Sequence, residues 1–532
     1  METPPSPRSR RATTLALQAG ALAVVLVAAP YKAFDLDRFF VPKELVLHAT
    51  ALVLGLASLA RARELRLARV DQLLGLFLGL GVLSALFATN WWLAERAVAI
   101  ALSGALCFWG ARTLARHGNE RALVSAFALA GIVGALTALL QAYGLESEFV
   151  SLNRAPGGTF GNRNFMAHLC VIALPALSFT ALRARTRNAY LAWCGGVAVI
   201  GAALVLSRSR AAWLAILVAV VVMAPLSLIA LRRGAGVLRL RRLLLLPLAA
   251  AAGGGAALVL PNALDWRSDS PYLDTARSVV NYREGSGQGR LIQYKGTLRM
   301  SLRHPLLGVG PGNWGVEYPH FAAEHDPSIG TEGMTSNPWP SSDWMTFLSE
   351  RGVVAAVLLG LAMIALVADG LRGLGSEIEP EQRLRSATLL GTVAVLLVVG
   401  SFDAVLLLPV AALVAWSLLG ALSSPARTRH VVALSGVMKA TALVAVLAVT
   451  TVAGARSIAQ LAAMSIVSTT SRTGSLERAA QLDPGSYRIH ARLAQLYVGR
   501  GECRRSLVHA SAARRQFPSS PVARRLLAAC GG

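Results

Sequence analysis

The chain has 532 residues, 54% of them hydrophobic and only 15% charged, with a mean hydropathy of +0.53; an ordinary soluble domain is less apolar and more charged. The net charge of +24 would point to nucleic acid in a soluble protein, but here most arginines sit in short connections between apolar runs. There they orient membrane spans and meet anionic head groups.

Thirteen runs are long enough to cross a hydrocarbon core of roughly 30 Å. They fall near 12–30, 43–60, 70–88, 96–115, 121–142, 163–182, 189–206, 210–231, 242–260, 341–369, 385–402, 404–422 and 431–455. The expected fold class is therefore all-α: a polytopic helical membrane protein of about 12–13 transmembrane helices, with a long external loop at 261–340 and a small helical tail. The first run follows Arg8, Arg10 and Arg11 and could mimic a signal peptide. The chain enters further spans and shows no convincing small-residue cleavage site, so that run reads as a retained span.

With the N-terminus in the cytoplasm, the inside connections hold clusters such as Arg61/Arg63/Arg66/Arg69, Arg183/Arg185/Arg187 and Arg372/Arg383/Arg385. The outside connections hold scattered cations, among them Lys32, Arg38, Arg154, Arg163, Arg208 and Arg210. The bias keeps its sign from loop to loop, which places the long loop and the tail outside, in the periplasm of a Gram-negative cell. The expected domains are 1–455, a multi-span membrane unit, and 456–532, an external tail.

The tail changes composition at Ser475, and Pro484 and Pro518 lie 34 residues apart, the tetratricopeptide period. Leu482-Asp483-Pro484, Ala491, Leu493-Ala494, Tyr497 and Gly501 resemble that repeat's helix–turn–helix pattern. About one and a half repeats fall short of the roughly three needed for independent stability, so the tail is expected to pack on the membrane unit or on a partner. Cys503 and Cys530 lie in the tail, where an oxidising compartment would permit pairing, with the Cα geometry left open. Cys107, Cys170 and Cys194 lie in spans and read as apolar packing residues. No CxxC or HExxH spacing suggests a metal, and no cofactor is expected.

Three external segments could carry chemistry. In Arg154–Pro175, RAPGGTFGNRNFMAHLCVIALP, glycines let the backbone turn closely, and Asn162 and Asn164 place polar groups at the mouth of a span. The bland reading is a glycine-rich turn. In Ser207-Arg208-Ser209-Arg210, two arginines share a short external turn against the charge bias; they either snorkel to head groups or fork onto a specific phosphate. In Gly289–Trp314, GRLIQYKGTLRMSLRHPLLGVGPGNW, Leu291, Tyr294, Leu298 and Leu302 form one helical stripe and Lys295, Arg299 and Arg303 the next. That suits a helix lying in the membrane interface or packed on the outer mouth of the bundle. Arg290 stands off the basic stripe and is the arginine expected to meet substrate. Asp403 follows Ser401 and Phe402 at a tight turn and reads as a turn residue.

GTFGNRNFMAHL…LP, SRSRAAWLA, GR-x4-K-x8-HPLLGVGPGNW and SDWMTFLSERG, in this order over roughly 150–370, resemble the O-antigen ligase/polymerase family of bacterial membrane glycosyltransferases. The resemblance implies a metal-independent transferase in the inner membrane that uses an undecaprenyl-diphosphate-linked glycan. The acceptor would be lipid A–core, a growing polysaccharide or a protein hydroxyl at the outer face. It also implies that Arg210 and Arg290 bind the diphosphate and stabilise it as leaving group. Arg154, Asn162, Asn164, Arg208, Lys295 and Arg299 are the further expected contacts.

One departure stands out. The resemblance implies a His-Asn pair before the span that follows the loop, and this chain has Ser341-Ser342 there. His304, His320, His325 and Asp343 remain as candidate bases. Ligase, repeat-unit polymerase and protein-glycosylating versions share these motifs. A flippase would want ionisable residues at mid-depth, of which the spans hold few. A catalytically degenerate scaffold of polysaccharide assembly is the non-enzyme alternative, with the tail a possible docking site for a protein partner.

Overall fold

The computed structural model describes residues 7–150, 152–232, 237–266, 268–278, 285–330, 332–375, 379–423 and 428–531. Each of the thirteen expected spans coincides with a helix. In chain order these are α1 (Pro7–Leu26), α2 (Asp37–Arg61), α3 (Arg69–Ala85), α4 (Trp91–Leu114), α5 (Glu120–Ala142), α6 (Arg163–Leu182), α7 (Arg187–Ser207), α8 (Arg210–Arg232) and α9 (Val237–Val259). The external loop carries α10 (Pro271–Arg277), α11 (Gly285–Arg303) and α12 (Trp314–Glu317). The spans resume with α13 (Asp343–Gly375), α14 (Pro380–Phe402), α15 (Pro409–Leu422) and α16 (Gly436–Thr469). The tail is α17 (Thr473–Leu482), α18 (Tyr487–Val498), α19 (Cys503–Gln516) and α20 (Pro521–Ala528).

Among the described residues, nine stretches are long and apolar enough to cross a membrane. One is the 52-residue stretch Trp91–Ala142, in which Gly118, at φ 87°, separates α4 from α5. The protein is thus a multi-pass α-helical membrane protein. At 14 residues α15 is short, and every residue of it is buried, so it is an inner helix enclosed by its neighbours. Small residues set the closest approaches: a Cβ on Gly253 of α9 would stand 1.9 Å from the Ala198 carbonyl of α7, leaving room only for glycine.

The two ends of the bundle sort as the charge bias does. At one end, strand β1 (Glu64–Leu67) pairs antiparallel with β2 (His430–Ala433). Arg112 is ion-paired with Asp71 at 2.5 Å, and Arg183 and Arg385 meet Glu120. All of these lie in or beside connections assigned to the inside. At the other end sit the loop, the tail and the arginines assigned to the outside.

α16 runs unbroken through residue 455 to Thr469, so the short helices of the tail begin at Thr473. They pack on the bundle rather than standing alone. Leu476, Ala479, Ile489 and Leu493 join Phe34 and Val41 beside α2 and Met464 of α16 in one apolar cluster. Met334 of the loop packs against Tyr487, Phe517 and Ala523. Cys503 and Cys530 are disulfide-bonded with a Cα separation of 5.2 Å.

Candidate functional site

The site grows from a turn held by a carboxylate. Asp343, the first residue of α13, is fully buried. Its Oδ1 accepts the N–H groups of Val405 at 2.9 Å and Leu406 at 3.1 Å, and Oδ2 accepts Leu406 N–H at 3.0 Å. Its own N–H donates to the Asp403 carbonyl at 3.2 Å. Both oxygens are therefore used to fix the turn between α14 and α15, and that turn carries Asp403.

Asp403 is where three of the expected contacts, Arg154, Asn164 and Arg290, converge. Asn162 caps α6, accepting the Asn164 N–H at 2.9 Å, and this N-cap geometry leaves the Asn164 side chain hydrogen-bonded to the Asp403 carboxylate. Arg290 and Arg154 lie within electrostatic reach of the same carboxylate. Burial pushes the Asp403 carboxyl up to about 6; Arg290, the Ala404 N–H, Arg154 and Asn164 pull it back down. A carboxyl held in that range can take a proton.

Further arginines lie beyond Arg154. Arg163 and Arg208 both place their guanidinium groups over the Trp266 ring, at 5.0 and 4.6 Å, a cation–π arrangement, and Arg163 lies within electrostatic reach of Arg154. Arg208 has φ 53°, a left-handed backbone unusual for a side-chain-bearing residue. It donates Nε–H to the Thr275 hydroxyl at 2.8 Å. Arg210 donates to the Ser278 carbonyl at 2.6 Å and to the Ser286 hydroxyl. Together these two arginines fasten the turn between α7 and α8 to the external loop.

α11 presents three faces. Gly287, Gln293, Thr297 and Met300 are buried; Arg290 shares their helical repeat and is partly buried. Leu291, Leu298 and Leu302 are exposed, as are Lys295, Arg299 and Arg303, the composition of an interfacial surface. Lys295 and Arg299 therefore face away from the site. His304 is exposed at the far end of α11, roughly 21 Å along the axis from Arg290. His320 and His325 are exposed as well. Ser341 and Ser342 do structural work: the Ser341 carbonyl accepts the Tyr294 hydroxyl at 2.5 Å, its N–H donates to Gln293 at 2.7 Å, and Ser342 Oγ–H donates to the Gly400 carbonyl at 3.1 Å.

The glycine-rich turn after α11 fits a kink in α13. Gly352 has φ 81° and ψ 171°, and the Val353 N–H reaches the Pro305 carbonyl at 2.8 Å. Glu350 accepts the N–H groups of Gly312 at 2.8 Å and Trp314 at 3.1 Å. The HPLLGVGPGNW and SERG motifs are thus two sides of one junction.

Two residues escaped the sequence reading. Asp403 is drawn from its turn role into the basic cluster by contacts spanning well over 100 residues. His168, one turn below Asn164, is buried, with neither ring nitrogen hydrogen-bonded among the described residues, and lies within electrostatic reach of Arg290. The His168 signal was its i+4 spacing from Asn164; for Asp403 there was none beyond proximity to a span end.

Comparison with known families matches residues 195–360, from α7 through the external loop into α13, to a family model described as O-antigen ligase. The match covers about a third of the chain and includes Arg208, Arg210, Arg290 and Asp343, while Arg154, Asn164 and Asp403 lie outside it. No curated protein matches the chain. The family match, on a multi-pass helical bundle, supports a ligase-like role in glycan transfer.

Proposed function

We propose that this protein transfers a glycan from an undecaprenyl-diphosphate carrier to an acceptor hydroxyl, lipid A–core or growing polysaccharide, at the outer face of the bacterial inner membrane. The supporting observation is the convergence of Arg154 and Arg290 on one carboxylate, Asp403, at the loop end of the bundle, with Arg163 beside Arg154. Guanidinium groups are permanently charged and fork onto phosphate oxygens. In a partly water-excluded site they stabilise the charge that develops on a departing diphosphate.

The acceptor oxygen attacks the anomeric carbon and forms the new glycosidic bond. The bond from that carbon to the diphosphate oxygen breaks, and its electron pair leaves on the diphosphate. Asp403 takes the acceptor's proton. Arg290 and Arg154 hold the leaving group; Asn164 orients Asp403, and Arg208 and Arg210 hold the loop against the bundle.

The test is deletion of the gene in its host, with the envelope polysaccharide and the lipid-linked glycan pool examined together. Full-length chains accumulating on the carrier, beside bare lipid A–core, identify ligation. Single repeats on the carrier, with at most one repeat on the core, identify polymerisation. No change in either pool overturns both.

A further inference from the structure

A cavity of about 500 Å³ lies at the end of the bundle away from the loop, between α3, α13 and the segment that leads into β2. Two helices wall it in the same way. Leu361, Ile364, Ala365 and Ala368 of α13 line it, and at spacings of three and four residues they share one helical face. That face ends in Arg372, in the last turn of the helix. On α3, Leu73 lines the cavity four residues after Arg69, the first residue of the helix. The result is an apolar cleft that ends in arginine. Leu361 and Ile364 are exposed, so the cleft is open sideways, where lipid surrounds a spanning helix.

Arg429 completes the mouth. Its N–H donates to the Leu67 carbonyl at 2.8 Å, one residue beyond the β1–β2 register that pairs Leu67 with His430. Backbone pairing thus holds Arg429 beside the start of α3. Thr428 adds a hydroxyl to the same lining.

Charge in this lining is unbalanced. Three arginines face one carboxylate, Asp369, which leaves two net positive charges. Asp369 is taken by Arg372 at 2.7 Å. Among the described residues the guanidinium groups of Arg69 and Arg429 form no ion pair and donate no hydrogen bond. More deeply placed arginines of this end are neutralised within the protein: Arg112 by Asp71, and Arg183 and Arg385 by Glu120. Orientation of the spans asks only for charge near their ends; it does not ask for an apolar cleft leading away from that charge. Guanidinium groups fork onto phosphate oxygens, and basic pockets between spanning helices take phospholipid head groups.

We propose that this cleft binds an anionic phospholipid, with its phosphates among Arg69, Arg372 and Arg429 and an acyl chain along Leu73 and the α13 stripe. Two net positive charges match a lipid that carries two phosphodiesters. With the orientation expected from the charge bias, the site belongs to the cytoplasmic leaflet, across the membrane from the arginines that meet Asp403. The binding itself depends on neither that orientation nor the transfer reading.

The test is native mass spectrometry of the full-length protein, delipidated in an uncharged detergent and titrated with diphosphatidylglycerol or, as the zwitterionic control, phosphatidylethanolamine. The expected result is one saturable site for diphosphatidylglycerol and no retained phosphatidylethanolamine. The double change Arg69→Gln, Arg429→Gln weakens binding by about tenfold or more, as loss of hydrogen bonds to a charged group does, and leaves the backbone pairing of residue 429 in place. Ala365→Phe keeps every charge, fills the apolar cleft and weakens binding too. Arg185→Gln, Arg187→Gln, at exposed positions outside the cleft, leaves binding unchanged. Inorganic phosphate at the same phosphate concentration does not displace the lipid. The proposal is overturned by the absence of a saturable site, by equal retention of phosphatidylethanolamine, or by wild-type binding in either cleft variant. An equal loss in the Arg185, Arg187 control also overturns it, because the affinity would then belong to the general charge of this end. Displacement by inorganic phosphate does so as well, because the arginines would then serve a soluble anion.

Discussion

Asp343 and Asp403 divide two roles between two neighbouring carboxylates. The Asp343 N–H donates to the Asp403 carbonyl at 3.2 Å, and the Asp343 carboxylate is saturated by the turn N–H groups that follow Asp403. One carboxylate holds the turn; the other is left facing Arg290 and Asn164. Asp403→Asn is expected to lower transfer by about 10²–10⁴-fold, the usual weight of a general base, with the fold intact by circular dichroism. Asp343→Asn replaces an acceptor pair with one acceptor and one donor facing N–H groups, so it lowers thermal stability as well as activity.

The pH profile follows from the same group. A base works when deprotonated, and Asp403 is held near 6. Wild-type transfer is therefore expected to be flat above pH 7 and to fall as pH drops through about 6, tenfold per unit once well below it. Asp403→Asn removes that limb and leaves a low residual rate. An unchanged limb in the variant would assign the titration to another group.

Arg290 faces inward on α11 while Lys295 and Arg299 face out. Arg290→Ala is expected to abolish transfer with membrane insertion preserved, and Arg290→Lys to recover only part of it, because an ammonium cannot fork onto two phosphate oxygens. Lys295→Ala and Arg299→Ala are expected to change activity by less than tenfold. Transfer rates on membranes normalised for protein level check the ranking; wild-type transfer by Arg290→Ala would remove the donor-site assignment.

The helices were legible because lipid demands continuous apolar runs, and each expected span lies on a helix. Their ends were less so: α16 continues to Thr469, since an amphipathic extension docked on the tail has no hydropathy signature of its own. Arg290 could be separated from the basic stripe by helical period alone. Asp403 could not be found that way, because its setting is made by α6, α11 and the α14–α15 turn, which only the fold brings together. Nor could the bond from Val353 N–H to the Pro305 carbonyl at the Gly352 kink be read, as a kink carries no periodic signal.

Gly352 is a direct test of that junction. At φ 81°, ψ 171° it occupies a region open essentially to glycine, which costs another residue of order 1–3 kcal/mol. A Cβ there would also stand 2.1 Å from the Leu306 carbonyl. Gly352→Ala is expected to destabilise the protein by at least about 1–3 kcal/mol and to displace the turn that Glu350 caps, lowering transfer although residue 352 touches no substrate. Thermal unfolding in detergent and transfer rate should fall together.

The tail offers the last test, because its covalent and packing ties can be cut separately. The Cys503–Cys530 disulfide joins residues 27 apart, and a loop of that size stabilises by about 3–4 kcal/mol in the chain-entropy account. The double change Cys503→Ser, Cys530→Ser is expected to loosen α19 and α20 and expose the 503–530 stretch to protease. The apolar cluster of α17 and α18 on α2 and α16 should stay in place. Activity should then fall modestly, because α17 and α18 remain docked. Deleting 475–532 removes those helices as well, so it should cost more than the cysteine change but less than Arg290→Ala. If the deletion is as damaging as the arginine change, the tail is part of the transfer centre itself; if the cysteine change is, the disulfide holds more than the last two helices.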